Sequence, residues 1–165
     1  MKGRVLVDGA AAGSVLATDT TLSLWGGLDA QTGTIIDRHH PLAGEVITGR
    51  ILVLPAGRGS SAASAMLLEG IVSDKGPAAL LLAGVDEVLA IGAIVAAELF
   101  SKPIPVLELD AQTFAAASEA AYARIETGGR ISLIGERSNG GRNERRYGKE
   151  GGIAGLQQYT TPNIS

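Results

Sequence analysis

The segment Leu54-Pro55-Ala56-Gly57-Arg58-Gly59-Ser60-Ser61-Ala62-Ala63-Ser64 follows the apolar run Arg50-Ile51-Leu52-Val53-Leu54 and leads into an alanine-rich run, Ala62 to Gly70. Short apolar run, glycine-bearing turn, alanine-rich run: this order reads as strand, turn and helix. The turn sets an arginine, two adjacent hydroxyls and two glycines where the helix begins. Backbone N–H groups at a helix start favour an anion, and glycines let a ligand come close to the backbone. The rest of the chain reads as scaffold for this turn.

Downstream, a turn with Asp74, Gly76 and Pro77 leads to Ala78-Ala79-Leu80-Leu81-Leu82-Ala83. That unbroken apolar run is expected of a strand buried on both faces. Residues 86–100 read as a helix, Lys102-Pro103-Ile104-Pro105 as punctuation, and Val106 to Leu109 as a strand. Asp110 is suited to cap an alanine-rich helix over 112–123. Arg130 to Gly135 is the last expected strand.

Upstream the chain is richer in strands. Arg4 to Val7 and Ser14 to Thr18 read as the first two, and the glycines between them suggest hairpins. Leu22-Ser23-Leu24-Trp25 is a third candidate, ended by Gly26-Gly27, and Thr34 to Asp37 a short fourth. Arg38-His39-His40-Pro41-Leu42-Ala43-Gly44 is a loop, since Pro41 disfavours helix before it. Val46 to Leu54 reads as one strand broken only by Gly49. A β-rich N-terminal third followed by alternating strands and helices indicates an α/β class, a small β/α domain with an added β layer. After Gly135 the composition turns to Gly, Asn, Arg, Gln and Thr. The expected organisation is therefore a domain over 1–135 and a tail over 136–165 that is flexible or bound to a partner.

With 165 residues, 45% hydrophobic and 19% charged, the chain can build one domain with a real core. Aromatics are only 4%, so Ala, Leu, Ile and Val must fill it. A net charge of -3 argues against a nucleic-acid binder. There is no cysteine, hence no disulfide, no thiol nucleophile and no thiolate metal site in this chain. The two histidines, His39 and His40, are adjacent, and adjacent side chains diverge, so no metal site is expected here. Val5-Leu6-Val7 is too short for a signal-peptide core, and no apolar stretch approaches the roughly 18 residues of a membrane span. A cytoplasmic protein is the expectation.

Ser60 and Ser61 have an ordinary reading as helix caps. Arg58, set between two glycines, adds a fork that can hold a carboxylate or phosphate in two hydrogen bonds. The helix start can also help a hydroxyl act as an alkoxide. A serine nucleophile would want a positioned base, for which His39 or His40 with Asp37 could be offered. The turn lacks the Gly-x-Ser-x-Gly spacing of a nucleophile elbow and the Gly-Lys-Ser/Thr end of a P-loop. Serine as a proton-abstracting base, with Arg58 and backbone amides holding an acid, is the preferred reading. Trp25, the single tryptophan, reads as a core or lid anchor or as a ligand contact. The loop from Asp37 to His40 reads as a solvated loop or as an active-site wall.

The motifs Leu24-Trp25-Gly26-Gly27-Leu28-Asp29, Gly33-Thr34-Ile35-Ile36-Asp37, His40-Pro41-Leu42-Ala43-Gly44 and Leu54 to Ser61 resemble the small subunit, or swivel domain, of the aconitase X family. The acidic, glycine-containing stretch 86–98 before Pro103-Ile104-Pro105 is similar too, and the resemblance covers roughly residues 3 to 134. It implies a swivelling β/β/α fold and pairing with a larger subunit that carries an iron–sulfur cluster, with no cofactor bound by this chain. It implies dehydration of a small hydroxy acid, the cluster iron acting as Lewis acid on the departing hydroxyl while a serine removes the proton. On this resemblance Ser60 is the catalytic base, Arg58 and Ser61 bind substrate, Gly57 and Gly59 shape the turn, and Trp25, Asp37 and His40 are further candidates. Two substrates are implied, cis-3-hydroxy-L-proline and 5-phosphomevalonate. The alanine-rich, lysine-poor composition favours the first, whereas a phosphate would want cations such as Arg38, Arg50 or Lys102 near the turn. A non-catalytic binding module with the swivel fold is the alternative from another class.

Overall fold

The computed structural model describes residues 1–56 and 61–138. Nine strands and four helical segments follow in the order β1 (Arg4–Val7), β2 (Ala11–Ala17), α1 (Leu24–Gly27), β3 (Leu28–Asp29), β4 (Thr34–Ile35), β5 (Ile51–Leu54), α2 (Ser61–Val72), β6 (Ala79–Leu82), α3 (Glu87–Phe100), β7 (Val106–Glu108), α4 (Ala111–Glu119), β8 (Ala120–Glu126) and β9 (Arg130–Glu136) among these residues. Seven strands form one sheet in the order β1-β7-β6-β5-β2-β8-β9, and β3 pairs with β4 separately. β2, β5, β6 and β7 are parallel, while β1, β8 and β9 join antiparallel. The sheet curls until its ends meet: Gly3 N donates to Gly129 O and Ile131 N to Met1 O, each at 2.9 Å.

The period-two alternation of the strands divides the apolar residues between two cores. Leu16, Leu52, Leu54, Leu80, Leu82 and Val106 turn to the face covered by α2, α3 and the β3–β4 unit. Val15, Ile51, Val53, Leu81 and Leu107 turn to the other face, filled by α4 and the inner side of β8 and β9. Because both faces are covered, β5 and β6 are buried at every position. Each such leucine contributes about 1.5–3 kcal/mol by leaving water. Helices α2 and α3 approach closely because position 92 is glycine; a Cβ there would stand 2.6 Å from the Ser64 carbonyl oxygen. Among the described residues no helix is long and apolar enough to cross a membrane.

Several local expectations are corrected. β1 and β2 do not form a hairpin; β1 pairs with β7 and β2 with β5 and β8, because the apolar parallel strands take the centre of the sheet. Leu22 to Trp25 is not a strand. Its second half lies in the helical turn α1, which Gly26 reverses with a φ of 79°. The strand expected over 46–54 shrinks to Ile51–Leu54, since Gly49 takes a φ of 70° and turns the chain. Val46 keeps only an isolated bridge to Thr34. The helix expected over 112–123 stops at Glu119, and Ala120–Glu126 is strand β8. Alanine favours helix in isolation, but Ala123 and Ile125 face the core while Tyr122, Arg124 and Glu126 face outward, which is strand alternation. Tertiary pairing with β2 and β9 outweighs propensity there. β9 runs to Glu136, and Arg137 N donates to Glu119 O, so the fold continues past Gly135. Of the expected tail, residues 139–165 lie outside the described residues.

Candidate functional site

Four parallel strands deliver their loops to one end of the sheet, and the chain toward the serine-bearing segment leaves from there. β5 ends at Leu54, Pro55 and Ala56 follow, and α2 opens at Ser61. Gly57, Arg58, Gly59 and Ser60 lie outside the described residues. Their anchors are well held: Thr18 N donates to Val53 O at 2.9 Å, and Ala83 N donates to Leu54 O at 3.2 Å. A Cβ at Gly84 would lie 3.6 Å from the Ala56 Cβ, so the loop after β6 packs directly on the chain entering the turn.

The crossover from β2 to β5 forms the neighbouring wall. Trp25 is 61% exposed on α1, which packs against α2. Its carbonyl oxygen accepts from Ser23 Oγ at 3.1 Å. Asp37 is half-buried beside the end of α1, since a Cβ at Gly27 would stand 3.7 Å from its Cβ. Its Oδ1 accepts from His39 N at 3.0 Å and its carbonyl from His40 N at 3.1 Å, a local turn that starts the histidine loop. His39 is exposed.

His40 is buried, and both of its ring nitrogens are engaged by backbone. Leu42 N donates to Nδ1 at 3.0 Å, and Nε2 lies 3.2 Å from Thr20 O. An amide N–H can only donate, so Nδ1 is the acceptor and Nε2 carries the hydrogen. The ring is thus a clamp between this loop and the chain leaving β2. As it stands, it offers no nitrogen to accept a proton from a serine or to donate to a substrate.

Two carboxylates that the sequence reading did not name as site residues stand on the same rim. Asp86, after β6, is buried and accepts from Leu89 N at 3.0 Å as the cap of α3. Asp110, after β7, accepts from Thr113 N at 2.7 Å as the cap of α4. Hydrogen bonds from the Thr113 backbone and side chain, and from the Gln112 backbone, hold the Asp110 carboxyl below the ordinary aspartate value. Thr18 is a buried polar residue missed by the sequence reading; its Oγ1 accepts from Thr20 N at 3.0 Å and shapes the exit from β2. Arg137 Nη1 reaches Ala17 O at 3.3 Å and ties β9 to that exit.

The other cations lie elsewhere. Arg50 precedes β5 at the amino end of the parallel strands, bonded to Ser14 Oγ, Val15 O and the Glu45 carboxylate. Lys102 follows α3 at that same end, 2.7 Å from Asp74 Oδ1. Among the described residues no group of three or more His, Cys, Asp or Glu side chains could hold a metal ion.

Fold and rim together define a swivel-type α/β domain, a curled, mixed sheet whose parallel strand β5 leads toward helix α2 at the carboxyl end of the parallel strands. A model of the aconitase X swivel domain matches residues 1–133, and the chain belongs to that family. It is 52% identical over 103 residues to the cis-3-hydroxy-L-proline dehydratase of Pseudomonas aeruginosa, 62% of this chain and 18% of that protein. It is 42% identical over 133 residues to the enzyme of the same name from Hypocrea jecorina, 81% of this chain and 22% of that protein. The chain thus spans about a fifth of the length of these relatives. The phosphomevalonate dehydratase small subunit of Methanothermobacter thermautotrophicus is 38% identical over 93 residues, 56% of this chain and 71% of that one. The crystal structure of Thermococcus kodakaraensis aconitase X in its holo form superposes with a TM-score of 0.70 at 28% identity, covering 81% of this chain and 96% of that one.

Proposed function

We propose that this chain is the swivel half of a hydro-lyase that dehydrates cis-3-hydroxy-L-proline, with Ser60 as the base. One observation carries the reading. A fully buried parallel strand, β5, leads into the segment 57–61 at the end of the sheet where β2, β6 and β7 also leave their loops. The segment meets the start of a helix of 12 residues. Ligands of parallel α/β sheets sit at that end.

Dehydration takes a proton from the carbon that bears the carboxylate. The electron pair left behind forms the new double bond as the C–O bond on the neighbouring carbon breaks with its own pair. The departing hydroxide becomes water with one proton, so that the proton taken from carbon balances the one delivered to oxygen. Ser60 accepts the proton as an alkoxide that the start of α2 stabilises. Arg58 holds the substrate carboxylate in two hydrogen bonds, and Ser61 with the backbone amides of Gly57 and Gly59 completes the cradle. Trp25 and Asp37 wall the cradle from the crossover side, and His40 keeps that wall in position.

The residues of this chain do not fit an iron–sulfur cluster, because the chain has no cysteine and its described residues hold no metal-binding group. The cluster is assigned to a larger partner, and this chain's part is to hold the acid and move the proton.

Hydroxyproline is preferred to a phosphorylated substrate on two grounds. Identity is higher to the hydroxyproline enzymes, 52% and 42% against 38%. Arg50 and Lys102 lie at the far end of the strands, bonded to Glu45 and Asp74, which leaves Arg38 as the cation of the rim among the three considered for a phosphate.

The test is co-expression with the larger subunit and an assay of cis-3-hydroxy-L-proline dehydration, with intact Ser60 and with Ser60→Ala. Turnover that is lost in the variant, with assembly unchanged, supports the reading. Equal turnover in both sinks the Ser60 assignment. An intact complex that is inert on hydroxyproline and active on 5-phosphomevalonate transfers the substrate, and one inert on both supports the binding-module alternative.

A further inference from the structure

We infer that the outward face of α3, centred on Ile91 and Ile94, is the surface on which the larger partner of the proposed dehydratase seats. The inference rests on that functional reading and adds where the partner binds.

Between its two charged residues helix α3 is apolar on every side. Of its 14 residues, only Glu87 and Glu98 are charged. Its inner side is accounted for: Leu89, Ala93 and Ala96 are buried, and Gly92 lies against α2. Its outer side is not. Ile91 is 54% exposed and Ile94 43% exposed, one helical turn apart on one face. A helix that is hydrophobic on every side belongs to the interior of something larger. Scattered exposed apolar residues need no explanation, but two isoleucines in register, with Leu99 and Phe100 also exposed at the end of the same helix, mark an interface.

Two observations choose the larger partner over a second copy of this chain. The first is continuity with the site. The patch begins at the rim: Ala56 touches the Gly84 position, exposed Val85 follows, and α3 starts two residues later. A partner that completes the cradle above segment 57–61 therefore lies against the top of α3 as well. The second is size. The two hydroxyproline dehydratase relatives are about five times the length of this domain, so in them one body large enough to cover both rim and helix accompanies it. Exposed Glu87 and Glu98 frame the two isoleucines. The chemistry that fits is an apolar patch flanked by Lys or Arg side chains.

The experiment is co-expression of the full chain with the larger subunit, reading assembly by size-exclusion chromatography and affinity by titration. It compares wild type, the double variant Ile91→Glu with Ile94→Glu, Ser60→Ala, and Ile134→Glu on the exposed side of β9 as control. The double variant should bind at least about tenfold more weakly, a loss typical of central interface positions, while the control and Ser60→Ala assemble as wild type. A second readout avoids reliance on folding of the double variant: Ile94→Cys adds the chain's single thiol, and its alkylation should slow about tenfold in the complex, as expected of a covered site. Wild-type affinity in the double variant, or an unchanged alkylation rate, overturns the proposal and leaves the catalytic reading standing. Failure of the wild-type chain to assemble overturns both. A self-associated chain that dissociates on the double substitution assigns the face to a second copy and overturns the proposal.

Discussion

His40 and Thr20, 20 residues apart in the chain, are joined by a 3.2 Å contact from the imidazole Nε2 to the Thr20 carbonyl oxygen. The same ring accepts the Leu42 amide at Nδ1. A single buried side chain thus fastens the loop after β4 to the exit of β2. Replacing His40 with Phe leaves a buried amide and carbonyl without partners. The expected cost is about 1–3 kcal/mol, measured as a lower urea midpoint at unchanged slope. An unchanged midpoint would mean that water takes over both contacts.

Gly92 sets the spacing of α2 and α3. In Gly92→Ala the new methyl must push Ser64 away from a 2.6 Å approach. Helix propensity alone would make this substitution stabilising by up to about 1 kcal/mol. Overpacking costs about 1–3 kcal/mol and should win, because the obstructing atom is backbone and cannot rotate aside. Thermal unfolding of the variant decides the sign, and a raised melting temperature would contradict the packing argument.

Asp110 links stability to acid pH. Its carboxyl is held below the ordinary aspartate value, chiefly by the Thr113 N–H. A group whose folded value is depressed contributes stability above its unfolded value and loses it as pH falls through the folded one. Asp110→Asn should therefore flatten the fall in stability below about pH 4 while leaving its dependence near neutrality unchanged. Parallel melting curves of wild type and variant from pH 7 to pH 3 measure this. Identical acid slopes would remove Asp110 from the account.

Arg137 extends the domain beyond the last residue of the family match. Its backbone bonds Glu119 and its guanidinium reaches Ala17 O at 3.3 Å. Arg137→Ala should cost about 1 kcal/mol, the usual worth of one net hydrogen bond. Faster amide exchange is expected in β9 and at the end of β2. A chain ended after Gly135 should melt below one ended after Ser138. Equal melting would restore the boundary at Gly135.

Much of this was legible in the chain because the signals were strong and local. The apolar runs of β5 and β6, the Asp110 cap and the strand–turn–helix order around Pro55 need no distant partner to be read. The misses share a cause. Residues 120–126 carry helix-favouring alanines, yet their partners on β2 and β9 decide that they are strand. The Gly26 and Gly49 reversals depend on where the chain must turn to reach the sheet. His40 could be listed beside Asp37 as chemistry, but a sequence cannot reveal that both ring nitrogens already face backbone.

By itself, the sequence determined the alternation of buried strands with helices, the absence of any cysteine ligand, and a turn carrying Arg58, Ser60 and Ser61 ahead of a helix. These follow from residue type and spacing, which act over a few neighbours. The tertiary structure decided which strands are adjacent, that the sheet curls until Met1 meets Ile131, that Arg50 and Lys102 lie away from the site end, and that α3 keeps an apolar face outward. Those outcomes depend on contacts between residues tens of positions apart, whose energies exist only once the chain has brought them together.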